Sequence, residues 1–204
     1  MRFLRALPSL VLGLALAFAA VALPGCVRYA GPAHAIEPST ILESDGWRRV
    51  PQMALVRQEG EADCGVAAVA MVVTRWTRPT GLAEVRASAP PVGHGLSAGQ
   101  VRDVLRARGL RAFVLEGRKS DLEHEIEAGR PVVVGTGKML TDRKARAHYE
   151  VVVAIHPERQ RVVTLDPSLG WRESSYEGFE SEWKLSEHTA VVALPPGEWH
   201  YASN

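Results

Sequence analysis

Gln58-Glu59-Gly60-Glu61-Ala62-Asp63-Cys64-Gly65-Val66-Ala67-Ala68-Val69-Ala70-Met71-Val72-Val73 is a polar, turn-rich loop that changes at one cysteine into an unbroken apolar run. Asp63 is a helix-capping residue type, and the run behind it predicts a helix from Cys64 to Trp76. Cys64 then sits on the first helical turn, where the positive end of the macrodipole favours a thiolate. Gly65 adds no side chain beside the sulfur. The backbone N–H of Cys64 is one donor for an oxyanion, and an amide from Gln58, six positions upstream, can supply a second if the loop turns back. The plainer alternative makes Cys64 a small buried hydrophobe and Gln58 a surface residue. Val66, Ala67, Val69, Ala70, Val72 and Val73 already furnish a core face, so packing does not require a cysteine at the helix tip.

Working toward the N-terminus, Arg2 and Arg5 precede a 14-residue apolar run, Leu10 to Leu23, that ends at Pro24-Gly25-Cys26. The run is too short for a free bilayer-spanning helix and suits the core of a signal peptide. Residues 1–25 resemble a bacterial lipoprotein signal with Cys26 as the lipidated residue; simple cleavage near Ala30 or Ala35 is the alternative. Both predict a protein that leaves the cytoplasm; lipidation of Cys26 also predicts an extracytoplasmic, membrane-anchored lipoprotein. The chain has only two cysteines, Cys26 and Cys64. A disulfide between them is the ordinary expectation outside the cytoplasm. With Cys26 lipidated that bridge cannot form, and Cys64 becomes a lone thiol in an oxidising space.

Composition narrows the partners. The net charge of +1 over 204 residues becomes −1 without Arg2 and Arg5, the only charges in the first 25 positions. There is no basic excess of the kind nucleic-acid binding needs. Residues 26–49, rich in Gly, Pro, Ala and Ser, read as a flexible tether, 50–196 as one compact domain, and 197–204 as a tail.

Within that domain, Thr80 predicts a cap for a short helix to Arg86. Ser97 with Gln100 predicts a capping box for a helix stopping at Gly109. Arg111 to Leu115 reads as a strand, and Ser120 with Glu123 as a second capping box before Gly129. Val132 to Thr136 reads as a buried strand and the polar stretch 137–147 as a loop. Tyr149–Ile155 and Arg161–Leu165 make a hairpin about residues 156–160. A helical turn near Gly178–Trp183 and a strand Ala190–Leu194 complete an α+β layout with N-terminal helices on a mostly antiparallel sheet.

A thiol nucleophile needs a base. Of the seven histidines, His148 stands at the mouth of an apolar strand, a rigid mount; His94, between two glycines, is the runner-up. A base in turn needs a group that fixes its tautomer. A hairpin folded about residue 157 sets Asp166 opposite His148, so the two side chains can meet across neighbouring strands.

Taken together, Gln58, Asp63-Cys64-Gly65, His148-Tyr149 before a valine run and Asp166-Pro167 resemble the bacteriocin-processing, or double-glycine leader, peptidase family of the papain-like clan. The likeness runs from about Val50 to Leu194. It implies a papain-like cysteine peptidase fold and thiol-dependent proteolysis of a peptide or protein. Cys64 is then the nucleophile, His148 the base, Asp166 the orienting acid and Gln58 the oxyanion donor, without metal or cofactor. It also implies a monomer associated with a secretion system. Members that process leaders sit on export transporters facing the cytoplasm. This sequence shows no phosphate loop, since Val132 stands where the motif ending in Gly137-Lys138 would need glycine. A cell-wall peptide hydrolase and a catalytically silent peptide-binding lipoprotein stay open as alternatives. Glu150 shares the face of His148 by period two and is left between pairing with Arg143 or Arg146 and raising the basicity of the histidine.

Overall fold

The computed structural model describes residues 29–91 and 93–197; the expected signal segment 1–25, Cys26 and residues 198–204 of the tail lie outside the described residues. In chain order the elements are β1 (His34–Ala35), α1 (Pro38–Glu43), β2 (Arg48–Arg49), α2 (Cys64–Trp76), α3 (Leu82–Ser88), α4 (Ala98–Ala107), β3 (Arg111–Glu116), α5 (Lys119–Glu127), β4 (Val132–Met139), β5 (Ala145–His156), β6 (Arg161–Asp166), β7 (Gly170–Ser175), α6 (Tyr176–Trp183), a 3-10 turn (Lys184–Ser186) and β8 (Thr189–Leu194). The strands form one eight-stranded antiparallel sheet in the order β1-β7-β6-β5-β4-β8-β3, with β2 added to β5. This is the α+β class the sequence implies.

Both faces of the sheet are covered. Val66 to Val73 of α2, with Val101 and Leu105 of α4, pack on Val133, Val151, Val163, Leu165 and Val191. Leu122 and Ile126 of α5, with Phe179 and Trp183 of α6, pack on Val132, Val134, Val152 and Val162. Two-sided burial explains why the central strands are runs of valine rather than alternating patterns. Among the described residues no helix is long and apolar enough to cross a membrane.

The capping box Ser97–Gln100 forms in both directions, at 3.3 and 2.8 Å, and Gly109 takes a positive φ of 81° past the end of α4. Other caps differ from the sequence reading. Asp63 does not cap α2; its carboxylate takes the Gly60 N–H at 2.7 Å and Arg86 at 2.8 Å. Thr80 bonds Thr74 and Arg78, and α3 starts two residues later. At α5 the brace is Asp121 accepting from Arg118 N at 2.8 Å, which moves the start ahead of Ser120.

Two larger corrections matter. The polar stretch 137–147 is mostly strand: Gly137, Lys138 and Met139 pair with Ala147, Arg146 and Ala145, leaving 140–144 as the turn. Its composition mimics a loop because Lys138 is buried by ion pairing rather than by being apolar. The expected tether 26–49 is docked from Tyr29 onward. Tyr29 bridges Leu140, β1 pairs with β7, β2 pairs with β5, and Val50 N bonds Val153 O at 2.8 Å. These contacts are main-chain pairings, which leave no apolar period in the sequence.

Trp183 is fully buried and its indole N–H donates to Thr189 O at 3.0 Å, tying α6 to β8. Trp183→Ala should cost about 3–5 kcal/mol of stability. In urea titration this reads as a lower midpoint at unchanged slope; an unmoved midpoint would contradict the packing described.

Candidate active site

Three elements converge on one side chain. Cys64 is the first residue of α2, His148 lies on β5, and Asp166 ends β6. The sulfur hydrogen-bonds the His148 imidazole. The other ring nitrogen, Nε2, lies 2.8 Å from Asp166 Oδ1. Asp166 Oδ1 also accepts the backbone N–H groups of Ser168 and Leu169, at 2.8 and 3.1 Å. The turn after β6 therefore fixes the carboxylate, the carboxylate fixes the ring, and the ring presents its remaining nitrogen to sulfur.

The strand register achieves this differently from the symmetric hairpin. Val151 pairs with Leu165 and Val152 with Thr164, then a bulge shifts the register before Ala154. Asp166 thus falls beside Glu150 and diagonal to His148, within reach of both. His148 is nevertheless the histidine joined to Cys64. His94, the runner-up, lines the same groove.

Cys64 is 7% exposed and lines a groove of about 240 Å³ together with Leu96, Thr136, Tyr149 and Ser186 among others. Gly65 is needed for contact rather than for openness. A Cβ there would lie 3.1 Å from Leu96 Cβ and 3.3 Å from Tyr149 Cδ2. Gln58 sits on the adjoining loop, with its Nε2 bonded to Gly60 O at 3.0 Å and its backbone N–H to Pro167 O at 3.1 Å. One amide hydrogen of Gln58 thereby braces the loop, and the loop is pinned to the turn that holds Asp166.

Electrostatics act in opposite senses on Cys64 and His148. Burial pushes the Cys64 thiol up, but the hydrogen bond and charge of His148, with backbone N–H groups of Tyr149 and Gly65, bring it below its ordinary value. Burial pushes His148 down, but its bonds to Asp166 and Cys64 and the charges of Asp166 and Glu150 raise it to about 10. Burial disfavours the Asp166 carboxylate, and His148, Lys138 and the Ser168 N–H more than offset this, holding its pKa below the usual value. Both directions favour a proton on nitrogen and hence a thiolate–imidazolium pair.

Glu150 does not meet Arg143 or Arg146. It pairs with Lys138, and Arg146 instead reaches Glu61 at 3.0 Å. Donor atoms of His148, Glu150 and Asp166 lie within 4.8 Å of one another, a metal-like spacing. The Lys138 ammonium already faces both carboxylates, so a metal cation would meet like charge there. Lys138 is the residue the sequence reading missed. Carrying the period of β4 two positions past Thr136 would have placed it on this face.

The peptidase C39 family model matches residues 52–193. The peptidase domain of Streptococcus ComA, a bifunctional ABC transporter of a quorum-sensing pathway, superposes with a TM-score of 0.58 at 23% identity, covering 71% of this chain and 99% of that one. A C39-like peptidase from Bacillus anthracis gives 0.59 at 15% identity over 74% and 98%. A double glycine motif protease from a PCAT transporter, solved with its leader peptide, gives 0.55 at 19% over 72% and 94%. No curated protein matches the chain.

If the thiolate–imidazolium pair exists, alkylation of Cys64 by iodoacetamide should reach its plateau well below pH 8.5. His148→Ala should return the inflection to that ordinary thiol range. Equal profiles for parent and variant would refute the pairing.

Proposed function

We propose, from the premise that the chain belongs to the peptidase C39 family and is a cysteine-type peptidase, that Cys64, His148, Asp166 and Gln58 carry its chemistry on a peptide substrate outside the cytoplasm. The observation that carries the assignment is the unbroken hydrogen-bonded line from Cys64 through His148 to Asp166 at the wall of a groove.

The thiolate attacks the scissile carbonyl carbon, a C–S bond forms, and the carbonyl electrons move onto oxygen. The Cys64 N–H and the second amide hydrogen of Gln58 receive that oxyanion. His148 gives its proton to the leaving amine as the C–N bond breaks. Water, deprotonated by His148, then attacks the thioester carbon; the C–S bond breaks, the carboxylic acid product leaves, and the Cys64 thiolate is restored beside the protonated imidazole. Asp166 holds the ring in one tautomer throughout. The complex of the PCAT relative with its leader peptide supports a peptide substrate, and the transporter setting of that relative and of ComA supports delivery by a secretion system.

The N-terminal sequence supports the location. A lipid on Cys26 would leave three residues before Tyr29, which is already joined to the domain. That spacer reaches at most about 10 Å, so the domain would lie against the bilayer.

A synthetic peptide library that includes double-glycine sites, read by mass spectrometry, tests the activity. Cys64→Ala should lower turnover by about a million-fold while keeping the fold, and Gln58→Ala by about 100- to 1,000-fold. Cleavage by Cys64→Ala at the parent rate would end the proposal. Bacterial sacculi run in parallel report the cell-wall alternative through released muropeptides. Separately, Cys26→Ala should abolish incorporation of labelled palmitate and release the protein from membranes; retained label would refute the anchor.

A further inference from the structure

One face of the sheet changes character along its length. On β4, Val132 and Val134 give way to Thr136 and Lys138. On β5, Val152 gives way to Glu150 and His148. On β6, Val162 gives way to Thr164 and Asp166. Period two puts these residues on a shared face, so the apolar core under α6 ends in a buried charged cluster.

Lys138 is the centre of that cluster and only 6% exposed. Its ammonium is ion-paired with Glu150, lies 3.0 Å from Glu182 Oε2 and 3.9 Å from Asp166 Oδ2. The Thr164 hydroxyl bonds one Glu150 oxygen, and the Thr136 hydroxyl bonds the other at 3.3 Å. From the N-terminal segment, Tyr29 donates to Glu182 at 2.5 Å, and its ring centroid stands 4.7 Å from the Lys138 nitrogen. From β7, the Arg172 guanidinium lies 5.5 Å from the same ring.

The decisive detail is on Asp166, which is 1% exposed. Its Oδ1 takes three hydrogen bonds, whereas Oδ2 is buried and has no hydrogen-bond partner among the described residues. A desolvated carboxylate oxygen without donors favours protonation unless an opposite charge stands near. His148 supplies that charge at Oδ1, and Lys138, 3.9 Å from Oδ2, supplies it at the oxygen without donors. Glu150 and Glu182 hold Lys138 back, so the ammonium neutralises Asp166 without competing with His148 for the carboxylate. We propose that Lys138 is a positioning residue of the active site: it keeps Asp166 ionised and aimed at His148, and Glu150 and Glu182 keep Lys138 in place. This rests on the reading of Cys64, His148 and Asp166 as the catalytic set.

Without the ammonium, Glu150, Glu182 and Asp166 share one buried space, and that space takes up a proton as pH falls. The imidazolium then loses its counter-ion, and the thiol holds its proton to higher pH. Loss of a nearby positive charge acts on the thiol in the same direction. Removing Lys138 and the Glu150 charge together restores the balance, because the pair leaves as a neutral unit and a glutamine carbonyl still accepts from Thr136 or Thr164.

The test is alkylation of the full chain by iodoacetamide between pH 4 and 9. Modification is read on the Cys64 peptide by mass spectrometry, which separates it from Cys26. In Lys138→Met the inflection should rise by about one unit or more, so the rate on the acid limb falls about tenfold, while the rate at pH 8 stays within about threefold. Adding Glu150→Gln should bring the acid-limb rate back to within about threefold of the parent. A Lys138→Met profile that superposes on the parent overturns the proposal, as does a loss equal at every pH that Glu150→Gln does not repair. If Lys138→Met does not fold, Lys138→Gln, whose amide can still bond Glu150 or Glu182, takes its place: the inflection should again rise, and a profile that superposes on the parent overturns the proposal. A parent whose Cys64 reacts no faster than free cysteine overturns the catalytic reading itself; a fast parent with unresponsive variants overturns only the role of Lys138.

Discussion

The pairing of β5 with β6 is the constraint on which the site depends. It places Val151 opposite Leu165 and brings Asp166 to the face that carries His148 and Glu150. Side chains alternate across a strand, so a slip of one residue would turn Asp166 to the other face and break the line to Cys64. Valines on both sides of the sheet oppose such a slip, because it would also exchange the residues that pack under α2 with those that pack under α6. The bulge after Val152 is consistent with this: Val153 and Ala154 both belong to the core beneath α2, and Ile155 returns to the other.

A sheet buried on both faces also dictates how the proposed nucleophile arrives. Cys64 comes from a helix on one face, whereas the carboxylates around His148 share the other face with α6. His148 is the link between them, bonded to sulfur through one nitrogen and to Asp166 through the other. Its raised pKa follows from standing between two anions, and the lowered pKa of Cys64 from facing a cation at a helix start.

How far the sequence discloses this arrangement depends on the kind of force involved. The helix from Cys64 to Trp76 is legible because an apolar run of that length has one use. The meeting of His148 with Asp166 is legible because a hairpin relates positions by simple symmetry, even though the bulge turns a direct pair into a diagonal one. Strand β7 is not legible: its residues Trp171, Arg172, Glu173 and Ser174 carry no apolar alternation, and main-chain pairing with β6 and β1 holds it. The docking of Tyr29, β1 and β2 is hidden for the same reason. Lys138 is hidden by composition, since a lysine followed closely by Arg143, Lys144 and Arg146 reads as solvated. Its partners lie 12, 28 and 44 positions away on β5, β6 and α6, where no local pattern records them.

The cost of that cluster argues for its purpose. Burying an ammonium with three carboxylates is a poor way to stabilise a fold, because desolvation rivals the attraction recovered and apolar residues of similar size often serve as well or better. The same face shows the cheaper solution a few residues away, in Val132, Val134, Val152 and Val162. The charges begin where the strands reach His148, and the Asp166 oxygen without a hydrogen-bond donor is the one that faces the ammonium. Charge stands where the face reaches His148 and Asp166 and valine stands elsewhere on it, the distribution expected if the cluster serves the ionisation of the proposed base rather than the stability of the sheet.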